Sequence, residues 1–188
     1  MNYEPSLLEI FLTKIAFILC GKSVYEEFAN RLKISGKETV LDFGSGLGTV
    51  GFYVARKLTE GQLICYDISK RWMSICRKTL RKYKNVSFLQ SEFPSFAADS
   101  FDIIFCHFVL HDISNNELEG IIPVLANSLK FNGSLTFCEP INETIKIFEI
   151  KRLIEKNGLS LKESRITDVP LMCNALECVY IKNIIKSN

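Results

Sequence analysis

The stretch Val40-Leu41-Asp42-Phe43-Gly44-Ser45-Gly46-Leu47-Gly48 decides the fold of this 188-residue chain. Thr39 to Phe43 is a short apolar run of the kind that forms a buried strand, and the glycines at 44, 46 and 48 close it. Leu47, Gly51, Val54, Ala55 and Leu58 then recur at helical spacing and share one face. Outward from this strand–turn–helix unit the alternation continues. Gln62 to Tyr66 reads as a second strand ending at Asp67, and 69–84 as a helix with Trp72, Ile75, Cys76 and Leu80 on its apolar side. Val86 to Leu89 is a third strand. Phe101 to Cys106 is a fourth, apolar at nearly every position, as in a strand covered on both faces.

Ser114 to Glu117 has the spacing of a capping box and opens a helix, which Pro123 is expected to kink or restart. Asn132-Gly133 reads as a turn into a fifth strand, 134–138. A helix over about 143–156 stops at the C-cap pair Asn157-Gly158, and extended stretches at 159–166 and 176–182 follow. Before the first strand lie two helical stretches, about 5–20 and 22–33. Strands alternating with helices predict an α/β fold: one doubly wound sheet, mostly parallel, with helices on both faces. Ligands of such sheets bind at the carboxyl ends of the strands. The residues in question are therefore Gly44 to Gly48, Asp67, Ser91 to Phe93, Cys106 to Asp112 and Glu139 to Asn142.

The length suits one domain, read as an N-terminal helical cap (1–35) on a core (36–188). A net charge of +2 is too small to argue for nucleic acid or an anionic membrane as an obligate partner. The seven cysteines form no C-x-x-C pair, and Cys173 and Cys178 lack a histidine pair at zinc spacing, so no metal site is expected. An odd count without framework spacing points to a reducing compartment and a cytoplasmic protein. The apolar stretch Leu7 to Cys20 contains Glu9, Thr13 and Lys14 and falls short of the roughly 20 residues a spanning helix needs. It also has no basic region ahead of it and no cleavage site of a signal peptide.

These motifs together resemble the class I (Rossmann-like) S-adenosylmethionine (SAM)-dependent methyltransferases, in particular the small members with an "LHxI" segment. Val40 to Gly48 matches the acid-x-Gly-x-Gly-x-Gly signature. Tyr66-Asp-Ile-Ser69 matches the second strand end, and Asp99 to Ile104 the approach to the fourth strand. Leu129 to Leu135 is similar to the "LKPGG" turn, with Phe131-Asn132 in place of Pro-Gly, and Leu153 to Gly158 is similar to the late "LLEEAGF" helix end. The resemblance covers about 36–182. It implies a seven-stranded sheet with an antiparallel last strand, SAM as cofactor, and methyl transfer as the reaction.

Residue chemistry agrees. Gly44, Gly46 and Gly48, with Ser45 between them, permit a tight turn and close approach of backbone to a ligand. Asp42 sits where it can hold the ammonium of the amino-acid end. Asp67, about twenty residues on, can accept bonds from the ribose hydroxyls, although aspartate also suits a helix N-cap. Ile68 and Phe93 are placed to cover the adenine faces, Ser91 or Glu92 to meet its amino group, and Cys106 and His107 to complete the cofactor site. Where the family shows Asp-Ala, this chain has Ser91-Glu92-Phe93. Gly46-x-Gly48-x-x-Gly51 also satisfies the dinucleotide fingerprint, so an NAD(P)-binding oxidoreductase is the competing reading. A catalytically silent methyltransferase-like partner protein is another.

Methyl transfer from a sulfonium needs mainly proximity and orientation, and a base only where the acceptor must lose a proton. The only histidines are His107 and His111. His111 matches the "LHxI" histidine and is the candidate base. A small molecule is the expected acceptor. The cationic helix with Lys70, Arg71, Arg77, Lys78, Arg81, Lys82 and Lys84 makes nucleic acid the alternative, though such a run usually forms a solvated face. Leu7, Leu8, Phe11, Ile15, Ile18 and Leu19 are expected to roof an apolar pocket, or to pack on the sheet or on another subunit.

Overall fold

A computed structural model describes residues 4–170 and 173–183. Its strands are β1 (Thr39–Phe43), β2 (Gln62–Asp67), β3 (Val86–Gln90), β4 (Phe101–His107), β5 (Leu129–Pro140), β6 (Leu159–Val169) and β7 (Cys173–Lys182). The helices are α1 (Leu7–Cys20), α2 (Glu27–Arg31), α3 (Thr49–Lys57), α4 (Lys70–Leu80), α5 (Asn115–Ser128) and α6 (Thr144–Lys156). The strands form a seven-stranded sheet of order β3-β2-β1-β4-β5-β7-β6. Pairings β1–β2, β2–β3 and β4–β5 are parallel, and β7 runs antiparallel to both β5 and β6. The fold class is therefore the one expected. The chain clusters into two compact units that part between Phe93 and Pro94.

In the first unit, Val40 and Leu41 are both fully buried although adjacent residues of a strand point to opposite faces. Such a strand has cover on both sides. The register Phe43↔Tyr66 and Asp67↔Gln90 brings the carboxyl ends of β1, β2 and β3 level. The Ser69 hydroxyl caps α4 by accepting the Trp72 N–H at 3.0 Å. The helix ends at Leu80, four residues before the expected 84, where its buried stripe of Trp72, Met73, Cys76 and Leu80 ends. There the Tyr83 N–H turns back to the Leu80 carbonyl. At the N-terminus, helical structure continues from α1 to α2 through the π-helical turn Gly21–Glu26, where a break between two helices was expected.

The second unit departs from expectation in three places. Asn132-Gly133 is not a turn ahead of a strand: β5 already begins at Leu129, and Asn132 takes a left-handed φ of 61° within it. Pairing with β4 jumps from Phe101↔Leu129 to Ile103↔Ser134, so a bulge absorbs the extra residues. Pro123 does not restart α5, which runs on to Ser128 behind its Ser114–Glu117 capping box. Leu118, Ile122, Leu125 and Ala126 are buried on both sides of the proline, and that packing offsets the roughly 3 kcal/mol a mid-helix proline costs. β6 and β7 reach Val169 and Cys173, beyond the expected 166 and 176, because each supplies the other's ladder there. Among the described residues no helix is long and apolar enough to cross a membrane.

Candidate active site

In the first unit the chain leaves β1 through Gly44, Gly46 and Gly48, all at positive φ (75°, 52° and 84°). The N–H groups of Gly44 and Ser45 both donate to the Tyr66 carbonyl at 2.9 Å. Gly46 N–H donates to Asp67 Oδ2 at 2.8 Å, which ties the turn to the end of β2. Two of these glycines serve different needs. A Cβ at Gly46 would meet nothing within 4 Å, so the turn faces open space there. At Gly48 a Cβ would lie 3.0 Å from Cys76 Sγ and 3.2 Å from Leu80 Cδ1. Gly48→Ala is therefore expected to add left-handed strain to an overlap, destabilising the protein by roughly 2–4 kcal/mol in urea unfolding. A loss under about 1 kcal/mol would refute this account of the turn's packing.

Two carboxylates are buried at this turn. Asp42 is 3% exposed, and its Oδ2 has no hydrogen-bond partner among the described residues, nor has Ser45 Oγ. Burial, reinforced by the charge of Asp67, holds the Asp42 pKa well above the usual carboxylate range. Asp67 accepts Ser69 N–H at 2.9 Å on Oδ1 and Gly46 N–H on Oδ2. Burial raises its pKa against the pull of these bonds, and the Glu4 charge adds to the rise. Ser69, not Asp67, is the cap of α4.

Glu4 is the residue that sequence reading missed. Its carboxylate accepts Ser69 Oγ–H at 2.8 Å, Lys70 N–H at 2.9 Å and Arg71 N–H at 3.1 Å, while the Arg71 guanidinium donates to the Pro5 carbonyl. Ile10 of α1 packs with Leu47 and Trp72. Contacts across more than sixty residues leave no local signal. Gln90 was also missed; its amide donates to the Ile68 carbonyl at 2.9 Å. The Ser91 hydroxyl is engaged by the backbone of Phe93, donating to its carbonyl at 2.9 Å and accepting its N–H at 3.3 Å. Glu92 is exposed, and Phe93 is 74% exposed.

In the second unit, Cys106 is fully buried near the end of β4, and His107 is half-buried with its ring edge-on to Phe108 at 4.5 Å. Phe108 adopts a left-handed φ of 55°, unusual for a bulky residue. The chain then wraps around one carboxylate at the end of β5. Glu139, fully buried, accepts the N–H groups of Val109 (3.2 Å) and Leu110 (2.8 Å) on Oε1, and His111 Nδ1 lies 2.5 Å from its Oε2. His111 Nε2 is 3.4 Å from Asp112 Oδ1. Burial alone would lower the His111 pKa, but the bond to Glu139 and the charges of Glu139, Asp112 and Glu143 outweigh it and raise it. The sequence places Glu139 among the residues at the carboxyl ends of the strands but assigns it no role. Each unit thus presents an acid-lined cluster at its strand ends: one with an open glycine turn, the other with a histidine oriented by a buried glutamate.

Residues 34–181 match a family model described as a methyltransferase domain. Phosphoethanolamine N-methyltransferase 3 of Arabidopsis thaliana is 31% identical over 105 residues, 54% of this chain and 21% of the plant protein. Carboxy-S-adenosyl-L-methionine synthase of Wolinella succinogenes is 27% identical over 154 residues, 79% of this chain and 64% of that one. The chain thus spans less than two thirds of either relative. Among solved structures, a SAM-dependent methyltransferase from Aquifex aeolicus superposes with a TM-score of 0.74 at 20% identity, covering 90% of this chain and 97% of that one.

Proposed function

This chain belongs to the methyltransferase-domain family of SAM-dependent enzymes, and on that premise we propose that it transfers a methyl group to a small-molecule acceptor by in-line displacement. The observation that carries the cofactor assignment is the buried, unpartnered Asp42 Oδ2 beside a glycine turn that is open at Gly46. Asp42, Gly44, Ser45, Gly46, Gly48, Asp67 and Ile68 hold SAM in this reading. Asp42 takes the α-ammonium, the open turn takes the amino-acid end, and Asp67 offers the ribose hydroxyls the lone pairs left by Ser69 and Gly46. Ser91, Glu92 and Phe93, which follow β3 in the same unit, take the adenine end in this reading. SAM supplies an already activated methyl carbon, so the protein's task is to orient donor and acceptor and to exclude water. His111 accepts the acceptor's proton at Nε2, and Glu139 keeps Nδ1 occupied.

Electrostatics favours this over NAD(P). The buried, unpartnered Asp42 Oδ2 is met by the α-ammonium of SAM, whereas the pyrophosphate of a dinucleotide brings no cation to it. A small acceptor is favoured over RNA because two cations of the 70–84 run already rest on the protein's own rings. The Arg77 guanidinium is 4.9 Å from the Phe88 centroid, and Lys82 is 5.1 Å from Phe52 and Tyr83. The plant relative's name points the same way. Isothermal titration is expected to show SAM and S-adenosylhomocysteine binding with no measurable NAD or NADP affinity. Tight nicotinamide binding with silent SAM would overturn the assignment. SAM binding without turnover across a metabolite extract would leave the silent partner protein as the better reading.

A further inference from the structure

α1 is apolar on both sides, and one side is covered. Its inner side packs within the first unit, Ile10 on Leu47 and Trp72, and Phe17 edge-on to Tyr25, Phe52 and Tyr53 at 5.9–6.2 Å. The bonds of Glu4 and Pro5 to the start of α4 fasten the entry to this helix, so its orientation is built in. The opposite side presents Leu7, Leu8, Phe11, Leu12, Ile18 and Leu19, each 55–79% exposed. With Ile15 they fall within an arc of about 140° at the helical 3.6 residues per turn. A helix hydrophobic all round is one with neighbours all round.

We infer that this outer face seats a second copy of the chain, α1 against α1, antiparallel about a two-fold axis near residue 13. Six of the seven face residues mirror one another about that point: Leu7 and Leu19, Leu8 and Ile18, and Phe11 and Ile15, while Leu12 at the edge of the arc mirrors Lys14. An isologous interface sets residue i against j and j against i, so each of those six side chains meets an apolar partner. The exposed surface is equivalent to about four large apolar side chains, on the order of 600–800 Å² at roughly 150–200 Å² each. That exceeds the usual largest patch of a monomer and approaches the ~800 Å² per partner of a standard interface. Glu9 and Lys14 are the helix's only charges, so it lacks the basic flank of a lipid-surface helix.

Sedimentation velocity of the full chain from about 1 to 100 μM tests this, a range that brackets micromolar self-affinity. A dimer is expected, and Phe11→Glu is expected to weaken it at least tenfold while the circular dichroism spectrum is kept. Under mild oxidation Leu12→Cys, beside the axis, should cross-link to itself. Leu7→Cys should not, because the two copies of that position stand about 18 Å apart along the pair. A monomer throughout, even one that binds lipid vesicles instead, overturns the inference. So does a dimer indifferent to Phe11→Glu, or Leu7→Cys cross-linking as readily as Leu12→Cys.

Discussion

Asp42→Asn is expected to stabilise the ligand-free protein and at the same time to weaken SAM binding roughly 10- to 100-fold, the loss of one bond to a charged group. Both effects have one cause. Asp42 is buried with an unpartnered oxygen beside a second carboxylate, so its ionised form is costly until a cation meets it. The sign of the pH dependence follows from the raised pKa. In the unfolded chain Asp42 loses its proton near the ordinary value of about 3.9, in the folded protein only at higher pH. The folded state is thus least burdened below the lower value and loses stability as pH rises through the folded pKa. The gain from Asn should be absent at acid pH, grow as pH rises, and reach about 1–3 kcal/mol at neutral pH and above, the penalty of an unsatisfied buried group. Titration calorimetry and denaturation at several pH values measure the two arms. Unchanged SAM affinity would remove Asp42 from the site, and a variant less stable at pH 8 would contradict the charge-burial account.

His111→Ala is expected to lower turnover by roughly 10²-fold or more while SAM affinity hardly changes, if the acceptor must be deprotonated. Only neutral imidazole accepts a proton, so the rate should rise as pH passes through the His111 pKa. The neighbouring carboxylates place that limb above the ordinary histidine value. Glu139→Gln keeps a partner for Nδ1 and removes the charge, so it should move the limb to lower pH. For stability the sign is opposite to that of rate. A histidine whose folded pKa is raised contributes stability below its unfolded pKa and loses that contribution as pH rises through the folded one. A limb that Glu139→Gln leaves in place would show that Glu139 serves only to hold the 109–111 backbone. A flat profile under limiting methyl transfer would leave proximity as the mechanism and return His111 to a structural role.

The sequence by itself determined the architecture, because its signals are local. Apolar runs too short for helices, glycines at alternate positions, the Ser114–Glu117 box and the Asn157-Gly158 stop each act within a few residues. Together they carried the strand order's βα rhythm and the placement of Asp42, the glycine turn and Asp67. The errors lie where packing overrides local preference. Pro123 stays within a helix held by Ile122 and Leu125, and Asn132-Gly133 becomes a bulge because β4 and the flanking ladder already fix the strand on both sides. Tertiary structure alone decided the rest. Glu4 reaches Ser69, and Glu139 reaches His111, across 65 and 28 residues respectively. The charge state of Asp42 is likewise set by burial and by Asp67. No pattern in the chain encodes such pairings, since desolvation and charge–charge interaction depend on what folding brings near, not on what is adjacent along the backbone.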